Sequence, residues 1–231
     1  MTNVLVKEKS VVVPGEILAE GMDNLPGFGT YRKNDKIIAS RLGVILVEGR
    51  ALKIIPLSGS YIPKNNDVII GKVIDVTMSG WRVNTNSAYT AMLMLKDGSS
   101  EYIARGADLT HFYNLEDYIV CKITKVTSQK LVDLTMKGPG LKKLTGGRII
   151  KVNPFKVPRI IGKQGSMVTM IKQVTNTHLI VGQNGLIWLQ GEPEQEVLAV
   201  KTIKKIERES HTKGLTEQIK KFLEENTVNQ K

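Results

Sequence analysis

Two glycines three residues apart, Gly162 and Gly165, lie within the longest stretch of this chain that has no acidic residue. Between Leu134 and Gly191 there is no Asp or Glu, whereas nine Lys and Arg residues are present. After the loop, apolar residues recur at the spacing of an amphipathic helix, at Met167, Met170, Ile171 and Val174. A glycine loop that leads into a helix presents backbone N–H groups and the positive end of the helix dipole to phosphates. The sequence therefore predicts a polyanion-binding loop at a helix N-terminus.

The positive charge of the chain is unevenly distributed. The formal net charge is +11 over 231 residues. It divides into +3 for residues 1–66, zero for 67–137, +5 for 138–200 and +3 for 201–231. The largest excess surrounds the glycine loop, which favours a polyanionic partner such as nucleic acid at that place.

The composition gives no indication of a metal site, a cofactor site or a membrane-spanning helix. Cys121 is the only cysteine, so the chain can form neither an internal disulfide nor a cysteine-based zinc site. His111, His178 and His211 are scattered without the spacing of metal ligands. No apolar run approaches the roughly 20 residues that a membrane helix requires, and the first residues do not form a signal peptide. We therefore expect a cytoplasmic protein with no metal, no cofactor and no membrane partner.

Strand and turn signals divide the first part of the chain into two β modules. Residues 1–66 consist of short β-type runs separated by turns and predict a small N-terminal β domain. Residues 67–137 contain five β-type runs, the number and size typical of an OB-fold barrel, which often binds single-stranded nucleic acid. These runs are Val68–Val76, Trp81–Asn86, Ala91–Leu95 continuing toward Tyr102–Ala104, Tyr118–Val126 and Lys130–Met136.

Residues 138–231 combine strands with helices. The predicted elements are a strand at Arg148–Val152, two helices around the glycine loop, of which the second spans Ser166–Thr175, two strands joined by an Asn-Gly turn at His178–Val181 and Leu186–Gln190, and a long helix at Pro193–Glu209. The order β-α-α-β-β-α with Gly-x-x-Gly between the first two helices predicts a KH domain. A short amphipathic helix over 214–225 and a frayed tail over 226–231 are expected to follow. The expected fold class is multi-domain and mostly β, with one α+β domain.

The three modules in this order resemble a known family. Residues 67–137 are similar to the S1-type OB fold, and the similarity rests on Asp67–Val76, Gly80–Val83 and Tyr118–Val126. The N-terminal segments and a Gly-x-Asn-Gly turn resemble the RNA-exosome cap subunit that carries a KH domain, at Val13–Glu16, Gly27–Tyr31 and Gly182–Gly185. The intact Gly-x-x-Gly loop and the compact layout resemble the archaeal form of this family.

This resemblance implies a function that composition alone does not. Cap subunits of the family sit as three copies on a six-membered ring of RNase PH-like proteins, and the first domain is expected to dock on that ring. The cap gathers single-stranded RNA and feeds its 3′ end to the ring, which degrades it in the 3′-to-5′ direction. The cap subunit itself does no chemistry. The other archaeal cap subunit carries a zinc ribbon, which a chain with one cysteine does not form.

The predicted RNA contacts centre on the glycine loop. The two glycines are expected to let the sugar-phosphate backbone approach closely, Lys163 and Gln164 to lean over the phosphates, and Ser166 to cap the helix. The alternative is a tight turn between helices without a ligand. In the barrel, Arg82 stands where many such domains carry an aromatic residue, beside Trp81, and the two must face opposite sides of the strand. Lys130 matches a basic position near the start of the last strand.

The residues predicted to bind RNA are Gly162, Lys163, Gln164, Gly165, Ser166, Arg159, Lys156, Arg148, Lys151, Lys172, Arg82 and Lys130. The cluster His111–Phe112–Tyr113 is compatible with two roles, packing at the open end of the barrel and contact with RNA.

Two other functions compare less well with the sequence. A transcription elongation factor with the same barrel and KH modules is the alternative, although that family normally has two KH domains and only one fits here. An RNA-cleaving or RNA-modifying enzyme is disfavoured, because the sequence offers no paired carboxylates, no nucleophile with a base and no metal cluster at a plausible site.

Overall fold

A computed structural model provides the structure, and it describes residues 3–104, 106–210, 212 and 214–228. The chain divides into two compact units, Met1–Gly59 and Ser60–Lys231. Among the described residues, no helix combines the length and the apolar character that crossing a bilayer requires.

The first unit is built from short strands, as predicted. Its strands are β1 (Asn3–Val4), β2 (Val11–Val12), β3 (Ile17–Glu20), β4 (Leu25–Pro26), β5 (Thr30–Lys33), β6 (Lys36–Ala39), β7 (Gly43–Glu48) and β8 (Ala51–Pro56). Within the described residues they form two sheets, in the orders β1-β3-β6-β5 and β2-β7-β8-β4. Strands β6, β7 and β8 bury alternate residues, whereas β3 buries the neighbours Leu18 and Ala19 at a shift in its register with β6. The core consists of Val12, Leu18, Ala19, Ile37, Ala39, Ile45, Leu52 and Ile54.

The second unit begins with a closed barrel. Its elements are β9 (Val68–Thr77), β10 (Gly80–Asn84), β11 (Thr90–Met94), the single-turn helix α1 (Leu95–Gly98), β12 (Tyr118–Val126) and β13 (Val132–Thr135). The order β13-β11-β10-β9-β12 closes because β13 also pairs with β12. β11 and β13 are parallel, whereas the other barrel pairs are antiparallel. This closed five-strand barrel confirms the predicted OB fold.

One predicted strand segment in the barrel is wrong. The run from Ala91 does not continue as a strand to Tyr102–Ala104, because β11 ends at Met94, where its partner β10 begins at Gly80. With no further partner the chain turns into α1. Gly98 in this helix lies against the core, since a Cβ atom there would be 2.4 Å from Trp81 Cζ3.

The KH domain has the predicted order of elements. They are β15 (Arg148–Lys151), α2 (Val157–Ile161), α3 (Ser166–Thr175), β16 (His178–Val181), β17 (Leu186–Gln190), α4 (Pro193–Glu209) and α5 (Leu215–Val228), preceded by β14 (Lys142–Leu144). The sheet has the order β15-β17-β16, and β14 instead joins β12 of the barrel. The last helix runs three residues past its predicted end at 225, so residues 226–228, expected in a frayed tail, are helical, and 229–231 lie outside the described residues.

The KH sheet is covered on both faces. One face carries the helices, whose buried residues include Ile171, Ile203 and Ile219. The other face packs against the outside of the barrel, where Trp188 meets Ile70, Val120 and Leu144 in a separate apolar cluster. The barrel and the KH domain therefore share a buried interface within the second unit.

Candidate nucleic-acid interface

The glycine loop joins α2 to α3 through a backbone conformation that requires glycine at position 162. Gly162 has φ 77° and ψ 174°, a region essentially restricted to glycine. A Cβ atom there would lie 2.7 Å from Met167 Cβ, so the space is closed as well. Gly165 has φ 80°, but a Cβ atom at that position would meet nothing within 4 Å. Gly162 therefore shapes the loop, whereas Gly165 leaves open surface where a ligand can approach the backbone.

The loop backbone forms a concavity suited to an anion. Gln164 is left-handed, with φ 53° and ψ 29°, and it is followed by the left-handed Gly165. Turns of this kind direct successive N–H groups to one side. The Gly162 N–H closes α2 by bonding to the Pro158 carbonyl, and the Gly165 N–H bonds back to the Gly162 carbonyl. The positive end of the α3 dipole begins at the next residue, so this backbone can receive a phosphate.

Ser166 does not cap α3, contrary to the prediction. The N-cap is Gly165, Ser166 is the first residue inside the helix, and no side chain caps this end. The reason is the left-handed pair at Gln164 and Gly165, which turns the chain into the helix and lets the Ser166 N–H bond to the Lys163 carbonyl. The exposed Ser166 hydroxyl instead lines the cleft beside the loop.

Arg159 and Lys163 are the predicted cations that the structure brings together at the loop. Both are exposed, and with Gly162 and Ser166 they line a cleft of about 330 Å³. No ion pair within the described residues involves either of them. Two exposed cations beside the N-terminal end of α3 make this the place where the predicted residues best form an anion site.

Lys156 and Arg148 are engaged elsewhere in the KH domain. Lys156 Nζ donates to the Glu207 carbonyl at 2.7 Å and so ties the start of α2 to the C-terminal end of α4. Arg148 Nε lies 3.8 Å from Glu196 Oε2, near the start of the same helix. At 1.5 Å per residue, Glu196 and Glu207 are about 16 Å apart along α4. These two cations therefore lie at opposite ends of α4.

Lys151 and Lys172 are exposed, and neither lines the cleft at the glycine loop. Lys151 ends β15, and its carbonyl accepts a hydrogen bond from Lys204 Nζ at 2.8 Å. Lys172 is in the last turn of α3, about 9 Å along the helix from Ser166. Both add positive charge to the surface of the KH domain outside this cleft.

The structure adds an acidic residue to the cleft that the sequence did not predict there. The start of α5 forms the opposite wall, where Leu215 is buried in the helical core and Glu217 is exposed. Although no acid occurs between Leu134 and Gly191, the fold thus brings one back to the glycine loop. Its carboxylate opposes the binding of an anion.

In the barrel, Trp81 and Arg82 face opposite sides, which confirms that prediction. Trp81 is fully buried, and its Nε1 donates to the Tyr113 carbonyl at 2.9 Å. Arg82 points outward, with its Nη1 atom 3.7 Å from Asp75 Oδ2. The strand ladder continues from Arg82 to Met92 and from Met92 to Asp133. The outer face around Arg82 therefore carries two carboxylates, which offset its charge.

Lys130 is not brought together with Arg82. It lies in the turn before β13 with φ 64°, and its N–H donates to the Thr127 carbonyl at 3.0 Å. Three residues of chain, about 10 Å when extended, separate it from Asp133 on the ladder of Arg82. Lys130 is exposed and forms no ion pair in the described region.

The aromatic residues of the cluster before β12 pack against Trp81. The ring centroids of Phe112 and Tyr113 lie 6.4 Å and 5.1 Å from that of Trp81, both edge-on. The Tyr113 hydroxyl donates to the Gly98 carbonyl at 2.8 Å, and burial raises the pKa of Tyr113. Of the two readings left open by the sequence, packing holds for these two rings, while His111 is exposed with Nε2 3.5 Å from Asp108 Oδ2.

Asn184 has a role that the sequence pattern did not reveal beyond its place in a turn. It is fully buried, and its Nδ2 donates to the carbonyls of Ile70 at 2.7 Å and of Thr85 at 2.8 Å. Its Oδ1 accepts from the Ile70 N–H at 3.3 Å, and its own carbonyl accepts from Asn86 Nδ2 at 2.8 Å. Asn184 thereby fastens the β16–β17 turn of the KH domain to the barrel.

The first glycine of the same turn is fixed by this contact. A Cβ atom at Gly182 would lie 2.5 Å from Asn184 Oδ1 and 2.8 Å from Ile70 N. The Gly-x-Asn-Gly sequence therefore specifies how the KH domain is mounted on the barrel. A hairpin turn signal alone cannot reveal this, because the partner strand is more than 100 residues away in sequence.

Family models match the chain in three segments. The model described as the Exosome RNA binding protein RRP4 N-terminal domain matches residues 9–58, the RRP4 S1 domain matches 60–105, and the KH domain matches 147–205. A solved crystal structure assigned to an exosome complex RNA-binding protein is 33% identical, with a TM-score of 0.67. It covers 75% of this chain and 100% of its own.

Relatives named exosome complex component Rrp4 match over almost the whole length. The protein from Methanothermus fervidus is 42% identical over 95% of this chain and 97% of its own length. Those from Pyrococcus horikoshii and Thermoplasma acidophilum are each 43% identical, over 96% and 94% of this chain and 85% and 91% of their own. With the N-terminal β domain, the S1-type barrel and the KH domain in the same order, the chain belongs to the Rrp4 family of exosome complex components.

Proposed function

We propose that this chain is a non-catalytic, RNA-binding cap subunit of the exosome. In this proposal it captures single-stranded RNA and feeds the 3′ end to a ring of RNase PH-like subunits, which degrade it in the 3′-to-5′ direction. Three copies sit on a six-membered ring in the cytoplasm, and the N-terminal β domain, residues 1–66, docks on that ring. Residues 67–137 and 138–231 supply the RNA-binding barrel and KH domain.

The glycine loop carries this proposal. Gly162, the first turn of α3 at Ser166 and the exposed cations Arg159 and Lys163 line one cleft, where the positive end of the α3 dipole begins. None of these groups recognises a particular base, so the loop suits the sugar-phosphate backbone of many sequences. Binding should therefore tolerate sequence changes and weaken steeply with salt, as counterion release requires.

The proposal is tested by reversing charge in the loop. The double variant Lys163→Asp with Gln164→Asp should bind single-stranded RNA at least about tenfold more weakly at moderate salt, with a shallower salt dependence. Fluorescence anisotropy with a labelled oligonucleotide measures both. The matched control is Lys201→Asp with Gln183→Asp, which makes the same changes at two exposed KH positions away from the loop. Equal affinity of the loop variant and the wild type would remove the role assigned to the loop.

The absence of catalysis is tested separately. The purified chain should leave labelled RNA intact with phosphate and magnesium, and degradation should appear only when RNase PH-like ring subunits are added. Degradation by the chain alone would contradict a non-catalytic role. Association with RNA polymerase instead of ring subunits would favour the transcription elongation factor.

A further inference from the structure

A second cleft lies at the end of the barrel, in a part of the chain that the predicted site residues do not reach. It has a volume of about 860 Å³ and is lined by the β9–β10 turn, α1, the chain around Tyr102 and Lys137. Tyr102 is 90% exposed and Met78 is 97% exposed, and both line this cleft. Large side chains whose apolar surface is this exposed to solvent favour the binding of a ligand with an apolar face.

Tyr102 points outward next to a residue of the barrel core. Ile103 is 8% exposed and belongs to the barrel core, so the chain is anchored immediately after Tyr102. The Tyr102 ring itself is 90% exposed, so it is turned away from the core. The ring is therefore presented by an anchored segment of chain.

The floor of the cleft is fixed by hydrogen bonds between elements. The Leu95 N–H donates to the Ser79 carbonyl at 3.1 Å, and the Met136 N–H donates to the Asp97 carbonyl at 2.8 Å. The Lys137 N–H donates to Thr135 Oγ1 at 3.0 Å. These contacts hold the backbone at Lys96 and Lys137 in place, so both cations border the cleft from a rigid base.

The charges around the cleft favour an anionic ligand. Lys96 and Lys137 are exposed and form no ion pair among the described residues, while Glu101 is the acidic side chain in the lining. On the strand face of the barrel, by contrast, Arg82 is offset by Asp75 and lies on the same ladder as Asp133. At this end of the barrel, Lys96 and Lys137 lie beside the exposed ring of Tyr102.

We propose that this cleft is a second site for single-stranded RNA, in which a base stacks on Tyr102 and Lys96 and Lys137 hold the adjacent phosphates. An aromatic ring flanked by cations is the arrangement by which proteins grip single strands without reading their sequence. The site rests on the proposed function and deepens it, because it gives the barrel a contact with the bases that the glycine loop lacks.

The test compares three variants of the full chain at Tyr102 and a control position. Tyr102→Ala should bind a labelled single-stranded RNA about fivefold or more weakly, since stacking on an aromatic ring contributes about 1–3 kcal/mol per base. Tyr102→Phe, which keeps the ring, should bind like the wild type. Tyr89→Ala, at a partly exposed tyrosine of the barrel outside the cleft, should also bind like the wild type. Circular dichroism confirms that each variant is folded.

An oligonucleotide of the same length with abasic sites throughout separates stacking from charge. Wild type and Tyr102→Ala should bind this oligonucleotide equally, whereas Lys137→Ala should bind it more weakly than the wild type. If wild type and Tyr102→Ala bind normal RNA equally and only the Lys163 and Gln164 double variant loses affinity, the cleft is not an RNA site. The proposed function would still hold in that case. A wild type that binds no RNA would overturn both. Unchanged RNA binding together with lost assembly with ring subunits would make the cleft a protein contact and also overturn it.

Discussion

At the scale of single residues, Asn184 uses both the nitrogen and the oxygen of its side-chain amide to join the KH domain to the barrel. It satisfies an N–H and two carbonyls of the barrel from a buried position. A buried polar group whose partner is removed loses the hydrogen bond without regaining water, and this costs more than the bond itself contributes. Asn184 therefore matters for stability and for the orientation of the glycine loop relative to the barrel.

We predict that Asn184→Ala lowers the free energy of unfolding by about 2–3 kcal/mol, because groups of Ile70 and Thr85 lose a partner. Urea denaturation followed by circular dichroism measures the change. Gln183→Ala is the matched control, since it is exposed and only its backbone N–H bonds to the barrel, at the Val68 carbonyl. If both substitutions cost the same small amount, the amide of Asn184 does not fasten the domains.

Cys121 provides a prediction about pH. It is fully buried in the barrel core, and burial raises the pKa of its thiol from 9.0 to about 12. The unfolded chain loses this proton near pH 9, whereas the folded chain keeps it, so the free energy of unfolding should fall as the pH rises from 9 towards 12. In Cys121→Ala the decline should be shallower, as measured by urea denaturation at pH 8 and pH 10.5. Parallel declines in the two proteins would show that the thiol is not responsible.

Single residues also show which features of the site can be predicted from the sequence and which cannot. The opposite orientation of Trp81 and Arg82 was predictable, because neighbours on a strand alternate. The Asp75 and Asp133 environment of Arg82 was not, since it depends on strand register. Lys156 was predicted as an RNA contact from its position before the loop, yet its ammonium bonds to a carbonyl of α4. The sequence around Lys156 does not reveal that its side chain bonds to Glu207, 51 residues later.

At the scale of elements, α5 decides how strongly the glycine loop can attract an anion. Its apolar residues Leu215, Ile219 and Leu223 complete the helical core and bring the first turn of α5 to the loop. Glu217 in that turn suits the positive end of its own helix, but it also faces the cleft. Helix α5 therefore stabilises the KH domain and at the same time lowers the positive electrostatic potential at the glycine loop.

We predict that Glu217→Gln binds single-stranded RNA about two- to fivefold more tightly at low salt, because a like charge is removed from beside the phosphates. The gain should shrink at high salt, where exposed charges are screened. Anisotropy titrations at two salt concentrations measure it. Glu224→Gln, at an exposed position further along α5 that pairs with Lys220, is the control. Equal tightening in both variants would indicate a general charge effect and not a local one.

Elements were predictable where the signal is local. The helix over Ser166–Thr175, both strands of the hairpin and the helix Pro193–Glu209 have the bounds expected from apolar periodicity and turn residues. The continuation of β11 to residue 104 was wrong, because whether a strand continues depends on a partner elsewhere in the chain. The strand β14 was not predicted for the same reason, since it exists by pairing with β12.

At the scale of the whole molecule, the second unit carries both surfaces that are proposed to bind RNA, the glycine loop and the Tyr102 cleft. The KH sheet buries its helices on one side and the barrel on the other, so the glycine loop is mounted rigidly relative to the barrel. The order of the modules identified the family from sequence. Oligomer number and the ring contact of the first domain depend on other chains and stay proposals.

The most direct test of the central claim is to purify this chain with its partners from a native extract, treat the assembly with RNase and determine its composition by native mass spectrometry. We predict a stable, RNase-resistant complex that contains RNase PH-like subunits, with three copies of this chain for each six-membered ring. Recovery of the chain without such subunits, or with RNA polymerase in their place, would contradict its assignment as a cap of an RNA-degrading ring.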